Sequence, residues 1–223
     1  MNYYALTTSC DLKIIGDMPQ VQRVQVPSSW DSPFALGMRF HQKVDVDTEI
    51  PKAVLAKKAK LTDFMISSHL PNRLLSERLK SCINLFEVEG VEFVPTVVLV
   101  DGATEINYWF SNPLVSGSEL LDYEKSIIGR RRIGGREMLN QESFANHQEF
   151  DQALKKQHQY ALEVGLVEYP LSIFKPVFRK DLTIDFAVLE RLSLDFPVEF
   201  VVSERLKKRL EYERFTGFEF RPF

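Results

Sequence analysis

The sequence predicts an α+β fold, with mixed or antiparallel sheets and packed helices. Two observations carry that prediction. Short alternating or β-branched runs such as VQRVQV, TVVLV and EINYWF read as strands, and they are interspersed with a few capped, amphipathic helical patterns. The second is a repeated unit. SERLKSCINLFEVEGVEFVP at residues 76–95 returns at 203–222 as SERLKKRLEYERFTGFEFRP, and without a gap nine positions are identical: the five of SERLK, then Gly, Glu, Phe and Pro. Each copy therefore specifies a helix, a turn and a strand. The expected organisation is one domain over residues 1–223, with two related halves, about 1–125 and 126–223.

Taken in order, residues 3–7 and 21–26 read as short strands, and the Pro/Ser-rich PSSWDSP as a loop in which Trp30 covers core. KVDVDTEIP (43–51) alternates apolar and charged residues like an extended edge strand or arm. Residues 53–68 look helical. In the repeats, Ser76 and Ser203 suit the N-cap, where a hydroxyl accepts from an orphan backbone N–H. Glu77 and Glu204 complement the helix dipole. Leu79, Cys82, Ile83 and Phe86 form one apolar stripe, and Leu206 and Leu210, with Phe215 beyond, form the other. Gly90 and Gly217 break the helices where positive φ is needed. GVEFVP and GFEFRP then run as strands to Pro95 and Pro222.

Between the copies, residues 96–102 and 105–111 read as strands joined by a tight turn at 101–104. ELLDYEKSII reads as a further strand and GRRRIGGRE (129–137) as a loop or hairpin tip. Ser143 is placed as the cap of a helix running to about Gly165. PLSIFKPVFRKDLTID supplies a strand or two, and Asp185 is placed as the cap of a short helix, FAVLERL.

Composition narrows the function classes. A net charge of −3 gives no support to general nucleic-acid or anionic-membrane binding. Cys10 and Cys82 alone make no disulfide framework, and with no signal-like leader and no apolar run of spanning length they suit a soluble, cytoplasmic protein. No HExxH, CxxC, GxSxG or Walker-type loop occurs. His147 and His158, on one continuous helix, stand ~16 Å apart along its axis, too far for a shared metal; His41 and His69 join no ligand pattern. No catalytic residue, metal or cofactor is expected. Two charged segments stand out as candidate partner contacts: Asp45, Asp47 and Glu49 in the extended stretch, and Arg130, Arg131, Arg132 and Arg136 among the glycines of 129–137. The arginines could meet an acidic protein surface or an anion. Glu87, Glu89 and Glu92 form a further acidic group, and the aromatic content, with 17 Phe, leaves room for a homodimer.

The order YYAL, LLSERLK…GVEFVP, NYWFSNPL…LLDYEKS, IFKPVFR and VVSERLKKRLEYERFTGFEF resembles an immunity-protein family of bacterial polymorphic toxin systems, the Imm family numbered eleven. The resemblance extends from about Tyr3 to Phe220; the arginine-rich segment lies outside its pattern. It implies a non-catalytic protein that binds and neutralises a cognate toxin, with no catalytic residues to carry over. With no leader, the implied toxin acts in the cytosol, as a nuclease, deaminase, NAD-degrading enzyme or ADP-ribosyl transferase would. The rival expectation is a module binding nucleic acid or another anionic ligand through Arg130–Arg136.

Overall fold

The structure, a computed structural model, describes residues 2–25, 43–44, 51–67, 73–132, 135, 137–164, 169–190 and 198–223. Along the chain run β1 (Tyr3–Thr8), α1 (Leu12–Ile15), β2 (Val21–Gln25), β3 (Lys52–Leu55), β4 (Phe64–Ile66) and β5 (Arg73–Ser76). Next come α2 (Glu77–Ile83), β6 (Val91–Val100), β7 (Thr104–Pro113), a 3-10 turn (Ser118–Leu120), β8 (Ile127–Arg131) and β9 (Met138–Glu142). The last elements are α3 (His147–Val164), β10 (Leu171–Lys175), β11 (Phe186–Glu190), β12 (Val198–Ser203), α4 (Glu204–Tyr212) and β13 (Phe218–Pro222). The class is α+β, as the alternation of strand and helix patterns predicts.

Among the described residues, three sheets organise these elements: β2-β3-β6-β7-β5-β4, β11-β12-β1-β13 and β10-β8-β9. A bridge between Val21 and Ser67 brings the two ends of the six-stranded sheet together, making a barrel-like wrap. Its interior is filled by Val21, Ala53, Met65, Leu74, Val98, Tyr108 and Phe110. The four-stranded sheet is covered on both faces, and period-two alternation decides which side chain goes where. Leu6, Phe186, Val188, Phe200 and Val202 face the barrel with Phe64, Leu79 and Leu206. Tyr3, Leu189 and Val201 face the three-stranded sheet and α3, where they meet Ile128, Phe150, Leu171 and Ile173.

The two repeats carry the same secondary structure. Ser76 and Ser203 both have extended backbone and accept from the amide of the third residue on, Leu79 and Leu206. Gly90 and Gly217 both have positive φ, 68° and 95°, before their strands. The likeness also reaches beyond the helix–turn–strand unit. Strands β4-β5-β7-β6 follow one another in the barrel as β11-β12-β1-β13 do in the second sheet, every adjacent pair antiparallel. The third place is filled by β7, next in the chain, in one case and by the N-terminal β1 in the other. The sheets therefore do not divide at residue 125, because β1 crosses to complete the sheet built by the C-terminal segment.

Several local expectations fail where pairing overrides local preference. Residues 53–67, the described part of 53–68, are not a helix but most of β3, a turn and β4, since Ala53 and Val54 pair with Val24 and Arg23 on one side and with Val98 and Leu99 on the other. ELLDYEKSII is not one strand: it is a 3-10 turn and a loop, closed by Tyr123 donating to the Ser118 carbonyl (2.9 Å) and Ser126 N–H to the Asp122 carbonyl (2.9 Å), and only Ile127 and Ile128 open β8. FAVLERL begins as β11, paired throughout with β12. Pro95 does not end its strand: β6 runs to Val100, with Pro95 opposite Trp109 of β7. α3 starts at His147, with the Asn146 carboxamide, not Ser143, accepting from Glu149 N–H (3.1 Å). Trp30 lies outside the described residues.

Candidate functional site

The most densely wired polar groups lie where the two repeats meet. Asp63, just before β4, accepts from the Ser76 hydroxyl (2.8 Å), from Arg78 Nε and Nη2 (3.3 and 2.9 Å), and from Thr216 N–H (2.9 Å) in the other repeat. Asp185, just before β11, accepts from the Ser203 hydroxyl (2.5 Å), from Arg205 Nε (3.1 Å) and Nη2, and from Glu87 N–H (3.2 Å) in the first repeat. The backbone reciprocates: Phe64 N–H donates to the Thr216 carbonyl (3.2 Å) and Phe186 N–H to the Glu87 carbonyl (3.0 Å). The arginines stack crosswise too, Arg78 4.2 Å from the Phe215 ring centre and Arg205 5.6 Å from that of Phe86. Burial pushes both carboxyls up, but the hydrogen bonds outweigh it and hold each below the ordinary aspartate range.

These two aspartates were missed by the reading of the repeats, although a signal existed. Each opens an Asp-Phe pair ahead of its SERLK unit, by 13 residues in one case and 18 in the other. The differing spacing hides them from a gapless alignment. Asp185 is not a helix cap; it is the acceptor that fixes the neighbouring repeat's turn. Chemically the arrangement is a brace, with serine, arginine and backbone donors converging on two carboxylates and Arg78 Nη1 on the Glu213 carbonyl. Another buried group, Arg73, is pulled down to about 10 by burial, with Glu199 partly offsetting. Glu199 itself meets Arg221 at 2.7 Å.

The predicted arginine segment is built differently from its expectation. Residues 129–131 belong to β8, and the turn of the β8–β9 hairpin begins only beyond them. Arg130 is held between elements: Nε donates to Glu142 (2.5 Å), Nη1 to the Tyr169 carbonyl (3.1 Å) and to Gln157 of α3 (3.4 Å). Gln157 also accepts from Leu171 N–H of β10 (2.7 Å), so one amide ties β8, β10 and α3. Arg131 is half-buried opposite Met138, and Arg132 is exposed. Arg130, Arg131 and Arg132 are thus neighbours in chain but not one convergent anion cradle. Arg136, Asp45, Asp47 and Glu49 lie outside the described residues, as do His41 and His69. Glu92 is engaged, accepting from Val44 N–H and Asn112 Nδ2, both at 3.0 Å.

β9 next to this clamp was not singled out by sequence. Its residues 138–141 are exposed, including Met138 and Leu139. An open cleft of about 390 Å³ lies elsewhere, over Tyr3, Phe178 and Phe223, whose rings form a chain with centres 4.9 and 5.0 Å apart; Lys175 stands at its rim. None of the braced aspartates lines it. Among the described residues no group of three or more His, Cys, Asp or Glu could hold a metal, and no helix is long and apolar enough to cross a membrane. No protein-family model matches the chain, and no curated protein does.

Proposed function

We propose that this chain is a non-catalytic immunity protein that binds and neutralises a cognate bacterial toxin acting in the cytosol. The likeness of its motifs to that immunity family first suggests the role. The observation that carries it is the contrast between two parts of the molecule. The carboxylates of Asp63 and Asp185 are engaged as braces between repeats, whereas the β8–β9 hairpin turns Met138, Leu139 and Arg132 outward on a clamped support. Apolar side chains beside arginine are what a protein partner buries at the centre of an interface. The free thiols of Cys10 and Cys82 fit a reducing compartment.

The test is rescue joined to co-purification. The gene beside this one is induced in a sensitive host with and without this protein. Restored growth together with a stable complex is the expected result; killing that persists despite soluble protein, with no complex, overturns the proposal. Salt-sensitive binding of DNA or RNA that disappears on Arg132→Ser would instead support the anionic-ligand reading.

A further inference from the structure

We propose that the surface built from α1 and the segment between β3 and β4 is a membrane contact, which rests weakly and reversibly on anionic lipid. The inference goes beyond the toxin-binding reading and does not use the β8–β9 hairpin.

Two stretches of sequence make the surface, DLKIIGDM (11–18) and AKKAKL (56–61). The fold ties one to the other. Lys60 N–H donates to the Ile15 carbonyl (2.8 Å), Lys60 Nζ to the Lys13 carbonyl (2.7 Å), and the Gln20 side-chain amide to the Lys60 carbonyl (2.8 Å). Gly16, at φ 79°, lies directly on the second stretch: a Cβ there would come within 2.2 Å of the Lys58 carbonyl oxygen. Ile15 is fully buried and anchors the short helix. Its neighbours point away from the core, with Leu12 59% exposed, Ile14 41%, Met18 39% and Leu61 41%. Single exposed apolar side chains are ordinary on a protein surface; four along one seam mark a contact.

Charge accompanies them. Lys13, Lys57 and Lys58 are exposed, and among the described residues none of their ammonium groups has an ion-pair or hydrogen-bond partner. Lys60 gives one donor to a neutral carbonyl and keeps its charge. Against these four stand Asp11 and Asp17, a net of 4 − 2 = +2 over residues 11–18 and 56–61 in a chain of −3. Both carboxylates are engaged by the chain itself. Asp11 accepts from Lys13 N–H (2.8 Å), and Asp17 from Met18 N–H (2.9 Å) and the Gln22 side chain (3.4 Å). Beyond them, Glu219 of β13 accepts from the Ser9 hydroxyl (2.8 Å) and Cys10 N–H (3.3 Å). The overall negative charge of the chain thus hides a local excess of lysine.

Residue type selects the occupant. Protein interfaces concentrate aromatic side chains and arginine at their centres and are depleted in lysine. Neither stretch contains Tyr, Trp, Phe or Arg; the large apolar side chains are Leu, Ile and Met, and every cation is Lys. Single-stranded nucleic acid would call for stacking rings, which are equally absent. Aliphatic side chains able to enter the acyl boundary, flanked by flexible ammonium groups at headgroup level, match an anionic bilayer surface. The two aspartates keep the attraction small, so binding is reversible and sensitive to salt.

The test is co-sedimentation of the full chain with vesicles of phosphatidylglycerol mixed into phosphatidylcholine, set against vesicles of phosphatidylcholine alone. Expected is binding to the anionic vesicles only, released when salt is raised from about 50 to about 300 mM. Lys57→Glu/Lys58→Glu should weaken it about tenfold or more, and Leu12→Ser severalfold. Lys155→Glu/Lys156→Glu, exposed on α3 and equal in charge change, should weaken it far less, and Leu85→Ser, exposed elsewhere, not at all. All four variants replace exposed side chains and should melt like the wild type. A wild type with no preference for the anionic vesicles overturns the proposal. Equal losses in the two lysine pairs would report net charge alone and overturn it as well. A toxin complex that Lys57→Glu/Lys58→Glu abolishes, with vesicles ignored by the wild type, would assign the surface to a protein partner and likewise overturn it.

Discussion

Removing the Asp185 carboxylate should uncouple the repeats. Asp185 has no exposed surface, and Asp185→Ala strips an acceptor from the buried Ser203 hydroxyl and from the N–H of the exposed Glu87. A buried donor left unpaired costs about 1–3 kcal/mol and an ordinary hydrogen bond given up to water about 1 kcal/mol, so the two together cost about 3 kcal/mol. Relief from burying a carboxylate offsets on the order of 1 kcal/mol, leaving about 2 kcal/mol. Arg205 is left out of the sum because its side chain is 59% exposed and is rehydrated. At ~2–4 °C per kcal/mol for a chain of this size, the melting temperature should fall by ~4–8 °C. Chemical denaturation, with Asp181→Ala as the exposed control, measures the difference. A loss below about 1 kcal/mol, or one no larger than the control's, would refute the claim that this carboxylate braces the repeats.

The braces also predict acid sensitivity. Both aspartates are held below their unfolded pKa, so their contribution is present above about pH 4 and lost as pH falls through the folded values; denaturation midpoints at pH 7 and pH 3 should therefore lie further apart in wild type than in Asp63→Asn/Asp185→Asn, and a wild-type gap no larger than the variant's refutes the sign. Gly217→Ala should destabilise by several kcal/mol, since its Cβ would lie 2.2 Å from the Phe64 carbonyl oxygen at φ 95°, whereas Gly102→Ala, in open space, should cost only the left-handed penalty of about 1 kcal/mol. Comparing the two melts separates packing from backbone strain. Tyr108→Phe removes a buried donor to the Thr62 carbonyl (2.8 Å) and should cost about 1–2 kcal/mol, read by urea titration.

Much of the scaffold was legible because it is local. A serine cap, a stripe at helical spacing and a glycine at positive φ announce themselves within twenty residues, and the repeat doubles the signal. What failed needed distant partners. Ala53 and Val54 become a strand because β2 pairs with them on one side and Val98 and Leu99 on the other, and FAVLE becomes β11 because β12 lies alongside. The role of Asp185 depends on Glu87, 98 residues away. On the β8–β9 hairpin, the sequence marked the arginines by charge, yet charge does not tell a clamp from a contact. Arg130 proved to be the clamp, and MLNQE, chemically plain, is exposed beside it. Exposure there follows from sheet order, which no window of sequence contains.

The cross-bracing gives the molecule a division of labour. Each aspartate belongs to one repeat and receives a donor from the other, Thr216 in one direction and Glu87 in the reverse. Loosening either brace therefore acts on both repeats together. β1 strengthens the same coupling, since the first strand lies between β12 and β13 and ties the beginning of the chain to its last two strands. β9 takes no part in these joints; it hangs from β8 and is fixed to α3 through Arg130. Substitutions at the braces should consequently change stability with little effect on affinity per folded molecule, and substitutions at Leu139 the reverse. That separation is what a neutralising protein requires if its contact surface is to change with its toxin while its fold does not.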